Sequence, residues 1–126
     1  MIAGTGVDIV SIERMRSAVA RHPVRFASRI LSAKELETFR TLNDGAAYLS
    51  KRFAAKEAFF KALGQPPSSA NTWRQLSIVN DASGRPRLEF SATLARLLAN
   101  LGIVATFVSL SDERQYAIAT IILEKN

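Results

Sequence analysis

The sequence predicts an α+β fold, in which an antiparallel sheet packs against helices that include one long central helix. Three observations predict it. Segments 76–79 and 87–90 are β-rich and joined by Asn80-Asp81-Ala82-Ser83-Gly84, and segments 103–110 and 116–123 are joined by Ser111-Asp112-Glu113-Arg114-Gln115. Short polar joints of this kind make hairpins, so the sheet is antiparallel. Ala46 to Leu63 is an unbroken run of mostly good helix formers, closed by Gly64 where a C′ glycine belongs.

The elements follow in order. Met1 to Val10 is apolar with small residues and reads as a strand. Ser11 is an N-cap candidate for a helix over 12–21, where Ile12, Met15 and Val19 recur at helical spacing as a core stripe. Pro23 ends that helix. Ser32-Ala33-Lys34-Glu35 has the form of a capping box, and Leu36, Phe39 and Leu42 give the short amphipathic helix that Asn43-Asp44-Gly45 stops. Beyond the long helix, Pro66-Pro67-Ser68-Ser69 marks a loop over 65–72. Ala92 to Leu101 is an amphipathic helix stopped by Gly102. No repeat, linker or low-complexity stretch divides the chain, which reads as a single domain over 1–126.

Composition narrows the function. Hydrophobic residues make up 48% and charged residues 22% of the 126, enough for a proper core and unlike a disordered chain. Seventeen basic against 11 acidic side chains give a formal charge of +6, which favours an anionic partner. Cysteine is absent and there is one histidine, so disulfides, thiolate chemistry and Cys- or His-cluster metal sites are excluded. The N-terminus lacks the basic and long apolar regions of a signal peptide. The longest apolar runs, such as Ala117 to Leu123, are too short to cross a bilayer. The expectation is a cytoplasmic protein with no membrane partner.

Nucleotide motifs are incomplete. Gly4-Thr5-Gly6 starts like a dinucleotide fingerprint, but Ile9 stands at the third glycine and no Walker lysine follows. A basic nucleic-acid-binding module would explain the charge. Aromatic residues are only 8%, however, no RNA-reading signature occurs, and Phe59 and Phe60 fall on the long helix, where core packing is their expected use.

Two carboxylates carry more chemistry. Asp8 ends an apolar strand, a place where a helix cap or a strand-end charge is the ordinary role. Glu57 precedes Lys61 in the i, i+4 order that stabilises any exposed helix by about 0.2–0.5 kcal/mol. Yet Phe53, Ala54, Phe60 and Leu63 occupy a wide arc of that helix, leaving Glu57 at the apolar boundary, where it needs a partner. Arg52 and Lys56 form a like-charge i, i+4 pair, which an anion between them would relieve. Brought together, Asp8 and Glu57 could offer a hard cation two carboxylate oxygens, and Arg52, Lys56 and Lys61 could neutralise a pyrophosphate. Arg14 and Arg21 lie seven apart on one face of the first helix, with Arg25 eleven from Arg14 but past Pro23. They form either a solvated face or a dock for an acidic helix or phosphates. His22 reads as a helix-end residue, and Trp73 as a core anchor or a cover over a ligand.

At these residues the chain resembles the holo-acyl-carrier-protein synthase family of bacterial 4′-phosphopantetheinyl transferases. The family pattern Gly-x-Asp-Ile-x-x-Ile followed by an arginine is carried by Gly6 to Val10, Ile12 and Arg14. The pattern Arg-Phe-Ala-x-Lys-Glu-Ala-x-x-Lys-Ala-x-Gly is carried by Arg52 to Gly64. Weaker likeness runs through Asn80-Asp81, Gly84 to Arg87, Val108 to Arg114 and Tyr116 to Ala119, so it spans nearly the whole chain.

The resemblance implies a fold of the 4′-phosphopantetheinyl transferase type. It implies Mg2+ held by Asp8 and Glu57, with coenzyme A as substrate and a serine of an apo acyl carrier protein as acceptor. Adenosine 3′,5′-bisphosphate would leave. Glu57 is implied to assist deprotonation of the serine and Lys61 to stabilise or protonate the leaving phosphate. Arg52, Lys56, Gly64 and Arg85 are implied to hold the nucleotide. Arg14, Arg21 and Arg25 are implied to receive the acidic helix of the carrier. A homotrimer with sites at subunit interfaces is the family's usual assembly. One departure stands out: family members commonly continue Gly-Thr-Gly after the helix, whereas here Gly64 precedes Gln65-Pro66-Pro67, and prolines remove N–H donors. A protein of this kind that binds coenzyme A or carrier without turnover is the remaining alternative.

Overall fold

The computed structural model describes residues 1–68 and 73–126; the last part of the loop expected over 65–72, residues 69–72, lies outside them. Strand β1 (Ile2–Ser11) leads directly into helix α1 (Ile12–Arg21). Ser11 Oγ accepts the Arg14 N–H at 3.3 Å, so the N-cap stands where the sequence places it. His22 caps the C-terminus before Pro23. Helix α2 (Arg25–Ile30) follows, an element the sequence pattern misses. Six residues are too few to display a period, and Arg25 lies on this second helix instead of extending α1.

Helix α3 (Ala33–Phe39) opens on a complete capping box. Ser32 Oγ accepts the Glu35 N–H, and a Glu35 carboxylate oxygen accepts the Ser32 N–H at 3.0 Å. Helix α4 (Ala46–Leu63) has the bounds read from the sequence. It ends on Gly64 at φ 76°, the left-handed conformation that glycine adopts without strain. Strands β2 (Leu76–Asn80) and β3 (Pro86–Phe90) form one hairpin. Helix α5 (Ala92–Asn100) precedes strands β4 (Ile103–Asp112) and β5 (Tyr116–Lys125), which form the other.

The antiparallel pairing divides into two sheets: β1-β5-β4 and β2-β3. β1 and β5 pair with Asp8 opposite Ala119. The inner face of β5, formed by Ala117, Ala119, Ile121 and Leu123, is buried. α4 lies across this face and is surrounded. Ala54, Ala55, Ala58, Phe59 and Phe60 join Leu76, Ile78, Leu94 and Leu98 in the main core, and Leu49 joins Met15, Ile30 and Leu31 in a second cluster. Phe59 and Phe60 are packing residues, as their place on the helix predicts.

The opposite face of the three-stranded sheet is uncovered in the single chain. Val7, Ile9 and Phe107 are each more than half exposed there, beside Ile118 and Ile122. Cross-strand pairing puts Ile9 next to Ile118, and Ile122 next to Phe107. Among the described residues no helix is long and apolar enough to cross a membrane.

Candidate active site

β1 and α4 meet at backbone contact distance. A Cβ at Gly6 would lie 1.9 Å from the Ala58 carbonyl oxygen, and one at Gly4 would lie 2.0 Å from that of Ala62. The two glycines that begin an unfinished nucleotide fingerprint therefore serve strand-on-helix packing. Side chains alternate along a strand, so Asp8 follows Gly4 and Gly6 on the face turned to α4. Helical periodicity stacks Glu57 beneath Lys61, on the edge of α4 beside Ala58 and Ala62.

The result is a cluster of three charges from two distant segments. Lys61 Nζ donates to Asp8 Oδ1 and to the Val7 carbonyl oxygen, at 3.0 Å each. Glu57 is half-buried. Burial, and then the negative charge of Asp8, hold its carboxyl above the ordinary value of 4.5, with Lys61 opposing. Asp8 and Glu57 are thus electrostatic neighbours. Among the described residues the cation beside them is Lys61, whose side chain is itself largely exposed.

Among the described residues no three His, Cys, Asp or Glu side chains form a cage for a metal. Two adjacent carboxylates, one in each element and incompletely neutralised, could still hold a hard divalent cation. Magnesium commonly uses one or two protein carboxylates and takes its other oxygens from substrate phosphate and water. The donor set fits.

Arg52 and Lys56 lie elsewhere. They share a different face of α4, about 140° around the helix from Glu57 in the case of Arg52. Lys56 is fully buried, and its ammonium donates to Glu35 Oε1 at 2.6 Å, to the Ile30 carbonyl at 2.8 Å and to the Trp73 carbonyl at 3.0 Å. Burial pulls its pKa below the ordinary lysine range, with Glu35 opposing. Glu35 also accepts the Ser32 and Ile78 N–H groups. The charge of Lys56 is therefore met by an internal carboxylate.

Glu35 is the residue that sequence reasoning sees only as half of a capping box. A lysine in the middle of an Ala- and Phe-rich helix was the available signal that an acid must face it. Arg52 is only 8% exposed, stacks its guanidinium 3.9 Å from the centre of the Tyr48 ring, and has no ion-pair partner among the described residues; its Nε is buried and orphaned.

Gly64 uses its N–H to close α4, donating to the Phe60 and Lys61 carbonyls. Nothing among the described residues lies within 4 Å of the position a Cβ would take, so its Cα is open to a close approach. Arg85 is exposed in the β2–β3 turn, where its backbone N–H donates to Asp81 Oδ1 at 3.0 Å. Arg14, Arg21 and Arg25 are all exposed and form no ion pair among the described residues. Trp73 packs against Phe53, ring centres 6.1 Å apart, and is a core anchor.

An α+β scaffold thus brings two carboxylates and a lysine together where β1 meets α4. The sequence pattern of the 4′-phosphopantetheinyl transferase superfamily matches residues 4–121, and the chain belongs to that family. Within it, the chain is similar to the holo-[acyl-carrier-protein] synthase of Vibrio vulnificus, 48% identical over 123 residues that make up 98% of each chain. The crystal structure of holo-[acyl-carrier-protein] synthase from Neisseria meningitidis superposes with a TM-score of 0.94 at 39% identity, covering 99% of this chain and 100% of that one. The Helicobacter pylori synthase in complex with coenzyme A superposes at 0.80 with 27% identity, covering 95% of this chain and 99% of that one. The resemblance read from the two motifs is borne out. The chain is a 4′-phosphopantetheinyl transferase of the holo-[acyl-carrier-protein] synthase type.

Proposed function

We propose that the chain moves the 4′-phosphopantetheine arm of coenzyme A onto a serine of an apo acyl carrier protein, with Mg2+, and releases adenosine 3′,5′-bisphosphate. The observation that carries this reading is the convergence of Asp8, Glu57 and Lys61 on one edge of α4. The complex of the Helicobacter pylori relative with coenzyme A supports the same donor here.

Asp8 and Glu57 would hold the metal, which when bound would neutralise charge on the pyrophosphate of coenzyme A. Glu57 takes the proton of the attacking serine hydroxyl. The serine Oγ–phosphorus bond forms at the β-phosphate. The bond from that phosphorus to the bridging oxygen breaks, and its electron pair leaves with the α-phosphate of adenosine 3′,5′-bisphosphate. Lys61 stabilises that charge as it develops.

The nucleotide is held by Arg52, Gly64 and Arg85, while Lys56 acts from inside by fixing the helix that carries the cluster. Arg52 is turned away from Glu57 on its own chain and lacks an anionic partner among the described residues, which favours a site completed across a subunit boundary. A homotrimer would supply that boundary. The uncovered apolar face around Val7, Ile9 and Phe107 supports such an assembly. Arg14, Arg21 and Arg25 receive the acidic helix of the carrier, since nothing acidic among the described residues occupies them.

Mass spectrometry tests the reading. An apo carrier protein incubated with the enzyme, Mg2+ and coenzyme A is expected to gain the mass of one phosphopantetheinyl group. Reversing charge in Arg14→Glu/Arg21→Glu is expected to raise KM for the carrier by about tenfold or more while leaving KM for coenzyme A unchanged. No mass gain with any of several carriers rejects the transfer.

A further inference from the structure

We propose that Gly4 and Gly6, seated against Ala58 and Ala62, are positioning residues that set the gap between Asp8 and Glu57 and thereby the size of cation the pair accepts. This rests on the reading of Asp8 and Glu57 as the metal ligands.

The contact is made by main chain on both sides. The atoms that a Gly6 Cβ would meet are the Ala58 oxygen at 1.9 Å, the Ala58 carbonyl carbon at 2.9 Å and the Ala62 nitrogen at 2.9 Å. A Gly4 Cβ would meet the Ala62 oxygen at 2.0 Å and its carbonyl carbon at 3.0 Å. None of these can rotate aside, as the end of a long side chain could. Any side chain at Gly6 must move the strand and the helix apart by about 1–2 Å to reach ordinary contact.

The carboxylates are attached at this contact. Asp8 stands two residues beyond Gly6 on the same strand face, and Glu57 immediately precedes Ala58. A displacement at Gly6 is therefore passed to both with little chain between to absorb it. Two tethers limit compensation. Lys61 binds the Val7 carbonyl and the Asp8 carboxylate together, and β1 is locked to β5 through Gly6 opposite Ile121 and Asp8 opposite Ala119. On the same face beyond Asp8, Val10 carries a full side chain into the core, so the approach is tightest on the glycine side of the carboxylate.

Ordinary small-residue packing would require only that strand and helix fit. Placement beside two acidic side chains from different elements adds a second requirement, the distance between them. Magnesium demands near-octahedral geometry at 2.0–2.1 Å, whereas calcium accepts 2.3–2.6 Å and more irregular shells. A gap set by backbone contact discriminates between them, and a widened gap loses that preference.

The test measures metal on the full chain with coenzyme A present, without turnover. Mn2+ binding is followed by electron paramagnetic resonance, with Mg2+ and Ca2+ as competitors. Gly6→Ala is expected to weaken Mg2+ competition about tenfold or more and to raise the effectiveness of Ca2+ relative to Mg2+. Adding Asp8→Glu to Gly6→Ala lengthens one arm by a methylene and is expected to restore most of the Mg2+ affinity. In the wild-type background Asp8→Glu is expected to weaken it.

Gly4→Ala widens the same strand–helix contact against the Ala62 carbonyl oxygen and is expected to shift preference in the same direction. Circular dichroism selects which of the two widening variants is folded. A folded variant with the wild-type Mg2+ affinity and Ca2+-to-Mg2+ ratio overturns the proposal, as does a longer acid that gives no rescue. If both widening variants fail to fold, the contact is needed for folding itself and the proposal as a metal spacer is withdrawn. Asp8→Asn is the separate control: if it binds Mn2+ as the wild type does, the two-carboxylate site fails, whatever the glycines do.

Discussion

Lys61 Nζ lies 3.0 Å from Asp8 Oδ1, although 53 positions separate the two residues along the chain. The same ammonium holds the Val7 carbonyl, so one side chain pins β1 at Val7 and Asp8 to the last turn of α4. A largely exposed lysine in such a bond contributes little to folding, since exposed ion pairs are worth about 0–1 kcal/mol. Its weight lies in the charge it brings to the cluster.

Lys61→Met separates the two roles. It is expected to lower kcat by about 10²–10³-fold, the usual cost of deleting one donor aimed at developing charge. The denaturant midpoint should shift little. Steady-state kinetics and a urea titration read the two quantities. An unchanged kcat would remove Lys61 from the reaction.

Glu57 yields a prediction about pH. Its carboxyl is held above the ordinary value of 4.5 by burial and by Asp8, so the folded chain keeps this proton more readily than the unfolded chain. The group's favourable share of stability is then fully present below about 4.5 and is lost as pH rises through the elevated folded value. At neutral pH and without metal, Glu57→Gln should therefore melt higher than the wild type. The gap should close as pH falls below the ordinary carboxylate range. A variant that melts lower than the wild type at pH 7 would contradict the assignment.

The buried pair behaves in the opposite way. Lys56→Met leaves the Glu35 carboxylate inside with its main cation gone, and removal of one partner of a buried pair costs about 3–5 kcal/mol. Chemical denaturation should register that loss, whereas Lys56→Met/Glu35→Leu should recover part of it. A single variant within about 1 kcal/mol of wild type would mean that water reaches the pair.

Much of this was legible in the sequence because it is written locally. α1 and α4 have the expected bounds, Ser11 and Ser32 cap as their neighbours imply, and Gly64 takes the left-handed conformation its position demands. The two motif stretches named the family. What stayed hidden depends on contacts between elements. The split of the strands into two sheets follows from how β3 and β4 pack, and no hairpin signal encodes it. Glu35 and Lys56 stand 21 positions apart on different helices, and their pairing becomes visible only when α3 is laid beside α4. The glycines of β1 were legible as small residues, but their purpose required the carbonyl oxygens of another element.

α4 is gripped from two sides. Lys56 is bolted to α2, α3 and the approach to β2, while Ala58, Lys61 and Ala62 are pressed on β1. Because each residue turns the helix by about 100°, inserting or deleting a single position between Lys56 and Lys61 would swing one set of anchors away while the other stayed in place. The length of that short stretch is therefore frozen, even where the identity of an individual residue such as Phe59 could be exchanged for another of similar bulk.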